Sequence, residues 1–206
     1  MTPSVSIIHG DFETELKKID SSSVDLVFTD PPYGRSWLYI WEILSRESSR
    51  IIIPGGSLIT LSGIISLPIV LNSLNRHMDY FWCGALLHNQ VALVESVNLF
   101  NTWKPILWFT KGEKPLYLKE PIPDGVSPFE KQKYDHRWQQ AETWAEHFIT
   151  SLCPPDGLVV DPFVGTGTTA VVCLRANRRC IGIDNDTLQV NKALSRVDFA
   201  SKQIVV

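Results

Sequence analysis

Leu158-Val159-Val160-Asp161-Pro162-Phe163-Val164-Gly165-Thr166-Gly167-Thr168-Thr169 reads as a buried strand that passes through a glycine turn into a helix. The apolar run ends in a carboxylate, as a strand buried on both faces does when its tip reaches solvent. Gly165 and Gly167 let the backbone turn sharply and approach a ligand closely. Thr166 or Thr168 is suited to cap the helix that follows. That helix spans Thr168 to Ala176 and is apolar on most sides. A second strand, Cys180 to Ile183, then ends at Asp184. An acidic group at this tip, ~20 residues after the glycine turn, is placed to accept hydrogen bonds from ribose hydroxyls. A tight turn alone could serve packing only; turn, helix and terminal Asp184 together point to a nucleoside. The turn lacks the lysine of a phosphate loop. Asp161 beside it disfavours a pyrophosphate and suits a cation, which favours a sulfonium cofactor over NAD or ATP.

Upstream, Val24-Asp25-Leu26-Val27-Phe28-Thr29 is a second apolar run, and it ends in Asp30-Pro31-Pro32-Tyr33. The two prolines remove backbone donors and leave carbonyl acceptors beside the Asp30 carboxylate. A pocket of acceptors suits an NH2 group, which offers only donors. Hydrogen bonds from both N–H groups to Asp30 and the Pro31 carbonyl would favour a tetrahedral, nucleophilic nitrogen. They would also stabilise positive charge developing on it. Tyr33 adds an aromatic face for a base drawn out of a duplex. The plainer reading is a Pro-Pro turn that ends a strand.

Further strands are expected at Val5 to Ile8, Ser57 to Leu61, Tyr80 to Leu87 and Ile106 to Phe109. Helices are expected at Phe12 to Ile19, Leu38 to Ser45, Pro68 to Arg76, Thr143 to Leu152 and Thr187 to Ser195. Alternating strands and helices predict an α/β fold with a doubly wound, mostly parallel sheet. The hairpin-like Tyr80 to Phe109 could add an antiparallel edge. The stretch from Lys111 to Arg137 is rich in Pro, Gly and Lys and is expected to be a long loop or small insertion.

The 206 residues fit one such domain, 44% of them hydrophobic and 20% charged. The net charge of −3 excludes a global basic field, so a polyanion-binding face must be local. The four cysteines form no C-x-x-C pair, which argues against zinc, and the chemistry calls for no metal. Cys173 and Cys180 read as core residues of a reduced, cytoplasmic protein. Met1 to Gly10 lacks a signal-peptide pattern, and Leu58 to Leu74 is too interrupted to span a membrane.

Asp30-Pro31-Pro32-Tyr33 followed ~130 residues later by Asp161 to Thr169 resembles the N4/N6 amino-methyltransferase family of DNA-modifying enzymes. The order, catalytic motif first, looks like its beta class, a circular permutation. The resemblance implies a Rossmann-like domain over residues 1–206. It implies S-adenosylmethionine held by Asp11, Phe12, Asp161, Phe163, Gly165, Gly167, Thr168, Asp184 and Asn185. It also implies a flipped base held at Asp30, Pro31, Pro32 and Tyr33. Ile8 to Phe12 looks like the segment whose Asp meets the cofactor adenine, and Trp103 to Gly112 like a late strand. His136-Arg137-Trp138-Gln139-Gln140 is similar to the motif beside the cofactor methionine, although it departs from the usual H-P-T-x-K-P.

The larger target-recognition region usual in the family is missing. Its substitutes would be Arg35 to Arg50 and Lys111 to Tyr134, with Trp37, Tyr39, Tyr117 and Tyr134 as base-stacking candidates. The implied partner is DNA, with RNA as a second possibility, and the protein is a monomer or a homodimer. Asp at the head of the motif favours N6 of adenine over N4 of cytosine. A non-catalytic cofactor- or nucleic-acid-binding subunit and a nicotinamide enzyme are the remaining alternatives.

Overall fold

The computed structural model describes residues 4–127 and 142–204, with backbone alone over 88–92. Its organising unit is an eight-stranded sheet ordered β1-β8-β7-β2-β3-β5-β4-β6. Five strands form a parallel block: β1 (Val5–His9), β8 (Arg179–Asp184), β7 (Leu158–Asp161), β2 (Val24–Thr29) and β3 (Ile52–Leu61). β5 (Leu99–Thr110) runs antiparallel to both β3 and β4 (Asp79–Val94). β4 and β5 form a long hairpin at the expected place. It lies inside the sheet, because the two-residue strand β6 (Gly125–Val126) pairs with β4 and takes the edge.

Strand residues alternate between faces. Leu26 and Phe28 face one core with Val159, Trp108 and the helices α4 (Glu142–Leu152) and α5 (Thr168–Arg175). Val24 and Val27 face the other with Val160, Phe109, α1 (Phe12–Leu16), α2 (Ile40–Ile51) and α3 (Leu67–Leu74). Burial on both faces is why these strands read as continuous apolar runs. The last helix, α6 (Thr187–Ile204), packs on α5 through Ala200.

Several helix boundaries differ from expectation; the last helix, for one, runs on to Ile204 rather than ending at Ser195. The first helix stops at Leu16 rather than Ile19. There the guanidinium of Arg50 takes the carbonyls of Leu16 and Ile19 at 2.7 and 2.8 Å. The second runs on to Ile51 because Glu47, buried in it, accepts from Arg46 and Arg50. Cys173 and Cys180 lie in the core as expected.

β7 and β2 are neighbours inside the parallel block. From β2 the chain leaves through α2 to β3 on one side; from β7 it leaves through α5 to β8 on the other. Between two strands whose connections diverge, the carboxyl ends open a crevice, and in such sheets ligands bind there. Both acidic motifs begin at this point. No helix among the described residues is long and apolar enough to cross a membrane.

Candidate functional site at the strand tips

A cleft of about 680 Å³ opens above the switch point, and it holds both motifs. Asp11, Phe12, Asp30, Pro31, Pro32, Tyr33, Asp161, Phe163, Gly165, Thr168, Asp184 and Asn185 all line it. Of the residues expected to hold the cofactor or the reacting amine, only Gly167 is not among its walls.

The glycine turn is built by backbone and carboxylates. Gly165 has φ +51°, and a Cβ added there would meet no atom within 4 Å, so the turn faces open space. Its amide donates to Asp184 Oδ2 at 2.9 Å, while Asp184 Oδ1 accepts from the Asp186 amide at 2.9 Å. Asp184 thus shapes the turn, and each oxygen keeps acceptor capacity toward the cleft. Gly167, with φ +86°, serves packing: a Cβ would stand 2.9 Å from Ala193 Cβ on α6. The residue capping α5 is Gly167 itself, without the side-chain cap expected from Thr166 or Thr168. Those threonines are engaged elsewhere. Arg196 of α6 donates to the Thr166 carbonyl at 2.9 Å and to both hydroxyls at 3.2 and 3.3 Å, and it pairs with Glu142.

Asp161 has surroundings that its sequence position does not reveal. It is 3% exposed and accepts three internal hydrogen bonds. These come from Thr29 Oγ1 at 2.7 Å, the Phe163 amide at 3.1 Å and Thr169 Oγ1 at 2.5 Å. Burial pushes its carboxyl up to about 6; the three donors pull it down, and the nearby charge of Asp30 adds to the rise. Rather than offering a free anion, Asp161 clamps β2 to the turn, one residue from Asp30.

At the adjoining end, the Tyr33 hydroxyl donates to Asp30 Oδ1 in a short hydrogen bond. Burial of the hydroxyl, with the Asp30 charge and this bond, holds the Tyr33 pKa well above the usual phenol value, so it stays a donor. Pro31 is buried beneath the pair. Asp11 caps α1, accepting from the Thr14 amide and hydroxyl, both at 3.0 Å, and its exposed carboxylate still lines the cleft. Phe12 packs on Phe163 with ring centroids 4.8 Å apart, giving the cleft an apolar wall. Asn185 lies at the rim, its carbonyl near His9 Nε2.

The cleft also holds residues that sequence reading passes over: Phe28, Lys104, Trp144 and Gln189. Trp144 lies against Phe28 at 4.2 Å, and Lys104 stands over the Tyr33 ring. Each sits in its strand or helix as an ordinary core or surface residue, and only the crossing of elements brings it to the site. Trp37 and Tyr39 are exposed on the lip. Tyr117 is not a base-stacking residue: its hydroxyl donates to Asp25 at 2.9 Å near the start of β2, far from the cleft. Lys111 lies at that same end, bonded to the Ile52 carbonyl. His136 to Gln140 and Tyr134 fall outside the described residues.

Fold and cleft together define a Rossmann-like α/β domain that gathers two acidic strand-tip motifs, Asp30 to Tyr33 first and Asp161 to Thr169 second, in one cleft. A model of the N6/N4 DNA methylase family matches residues 71–194, more than half of the chain, and the protein belongs to that family. The DNA adenine methyltransferase YhdJ of Escherichia coli (strain K12) is 24% identical over 246 aligned residues, covering 95% of this chain and 83% of its own. The type II methyltransferase M.HpaI of Haemophilus parainfluenzae is 24% identical, covering 89% and 71%. Among solved structures, the cytosine-N4-specific PvuII DNA methyltransferase superposes with a TM-score of 0.83 at 17% identity, over 100% of this chain and 94% of its own. M1.HpyAVI in complex with SAM superposes at 0.79 and 20%, over 94% and 99%.

Proposed function

We propose that this protein methylates an exocyclic amino group of a base in DNA, N6 of adenine, with S-adenosylmethionine as donor. The observation that carries this reading is the meeting of Asp30 and the Gly165–Asp184 turn in one cleft. The donor supplies a methyl group on a sulfonium; the chain's residues do the rest. The Phe12–Phe163 wall gives an apolar slot for an adenine ring. The open backbone at Gly165 admits a close ligand, and the carboxylate of Asp184 suits ribose hydroxyls. Thr29, held by Asp161, fixes the strand tip that presents Asp30.

At that tip the two acceptors, the Asp30 carboxylate and the Pro31 carbonyl, bind the N–H groups of the target amine and orient its lone pair. A fixed acceptor pair stabilises the charge that builds on nitrogen without reorganising. In the free protein the Tyr33 hydroxyl already donates to Asp30, so the amine shares or displaces that bond as the base slides onto the ring.

Adenine is supported by the Asp at the head of the motif and by the likeness to a DNA adenine methyltransferase. The test is mass spectrometry of nucleosides from duplex DNA incubated with the protein and deuterium-labelled donor. N6-methyladenine is expected. Label in N4-methylcytosine alone, or in RNA but not DNA, overturns the substrate assignment. Asp30→Ala should abolish transfer while the affinity for S-adenosylhomocysteine stays within a few fold.

A further inference from the structure

The cleft is strongly negative. Asp11, Asp30, Asp161, Asp184 and Asp186 line it, in a chain whose net charge is already −3. Nucleic acid is a polyanion, and proteins hold it mainly through cations on its phosphates. Approach to this cleft therefore needs a positive group near the point where the base enters.

Among the described residues that line the cleft, one is a lysine or arginine: Lys104 of β5. Its ammonium lies 4.8 Å from the centroid of the Tyr33 ring, at the end of the cleft where the base is received. The sheet order sets β5 on the far side of β3 from the cofactor turn, so Lys104 is out of reach of that turn. Most surface arginines of the described chain are committed to ion pairs, such as Arg46, Arg76, Arg175 and Arg196; Lys104 is in none. A cation–π contact to a ring at the lip is weak beside a charge–charge contact, which leaves the ammonium available to an anion.

On the same lip Trp37 and Tyr39 lie near-parallel, 6.2 Å apart, 37% and 56% exposed. Exposed aromatic faces beside a cation are the combination that receives unpaired nucleotides.

We propose that Lys104 is the phosphate anchor of the extruded nucleotide, binding a phosphodiester oxygen next to the base held at Asp30 and Tyr33. The inference rests on the function proposed above. An extruded base remains tied to its backbone, so when the ring lies on Tyr33 the flanking phosphate returns to the lip, where the ammonium stands.

The experiment compares the wild type, Lys104→Met and Lys104→Arg. Methyl transfer to long, unmethylated duplex DNA is followed as kcat and KM across a salt series. The Met variant should lose about tenfold in kcat/KM for DNA, mainly through KM, and the log–log salt slope should become shallower by about one. The Arg variant should keep the wild-type slope, and S-adenosylhomocysteine affinity should be unchanged in both. An unchanged slope in the Met variant, or a loss confined to kcat, makes Lys104 a prop for Tyr33 and overturns the inference. In parallel, fluorescence anisotropy with a labelled single-stranded oligonucleotide should show the Met variant's slope shallower by about 0.7. If the wild type transfers no methyl group, the function fails while this second slope still decides the phosphate contact.

Discussion

Asp161 carries a charge where water cannot reach it, and its behaviour with pH follows from that. Its folded pKa of about 6 lies above the ~3.9 of an exposed aspartate. The native state therefore binds the proton more tightly than the unfolded chain. The resulting stability is fully present below ~4 and is lost as pH rises through about 6, a swing of about 3 kcal/mol. Asp161→Asn removes the titration. The stability difference between wild type and variant, from denaturant unfolding, should move against the wild type between pH ~4 and ~7; a constant difference would show that Asp161 titrates normally. Gly167→Ala faces both a positive φ and the Ala193 contact, and should cost about 2–4 kcal/mol by thermal unfolding. At this scale the sequence was a good guide to which residues gather and a poor one to what each does. Asp30, Tyr33 and Asp184 stand at strand tips because apolar runs end there. That Asp161 faces Thr29, 132 positions away, depends on which strands are neighbours, and no local pattern encodes it.

Among elements, the latch from α6 to the cofactor turn has no signature in the chain. Arg196 sits on a helix of mixed polarity, yet its guanidinium ties Thr166, Thr168 and Glu142 together. Arg196→Ala should free the turn and weaken S-adenosylhomocysteine binding ~10–100-fold by calorimetry, as loss of a supporting contact does, with helix content unchanged by circular dichroism. Wild-type affinity in that variant would show that the turn holds its shape unaided. Helix limits were legible where caps and apolar periodicity decided them, as in α4, which lost only its first residue in the reading. They differed where side-chain pairing intervened, from the distant Arg50 at Leu16 and from Glu47 with its neighbouring arginines before Ile51. The short β6 escaped because two residues in a proline-rich stretch carry no alternation, and pairing with β4 alone makes them a strand.

For the whole molecule, the strand order was recoverable as a class but not in its pairings, since β1 and β8 come from opposite ends of the chain. β1 has one neighbour in the sheet, β8, and His9 bonds Asn185, 176 positions on. A strand whose partner lies so far along the chain keeps an open margin until that partner has formed. The β3–β5–β4 ladder can zip early, because its partners are near in sequence, whereas distant closure is slow. Pulse-labelled hydrogen exchange during refolding should show β1 and β8 amides gaining protection together, after those of the ladder. Early shielding of β1 alone would contradict this order. The same topology joins the two halves of the cleft late in folding, so an intermediate that holds the ladder alone has no cleft to fill.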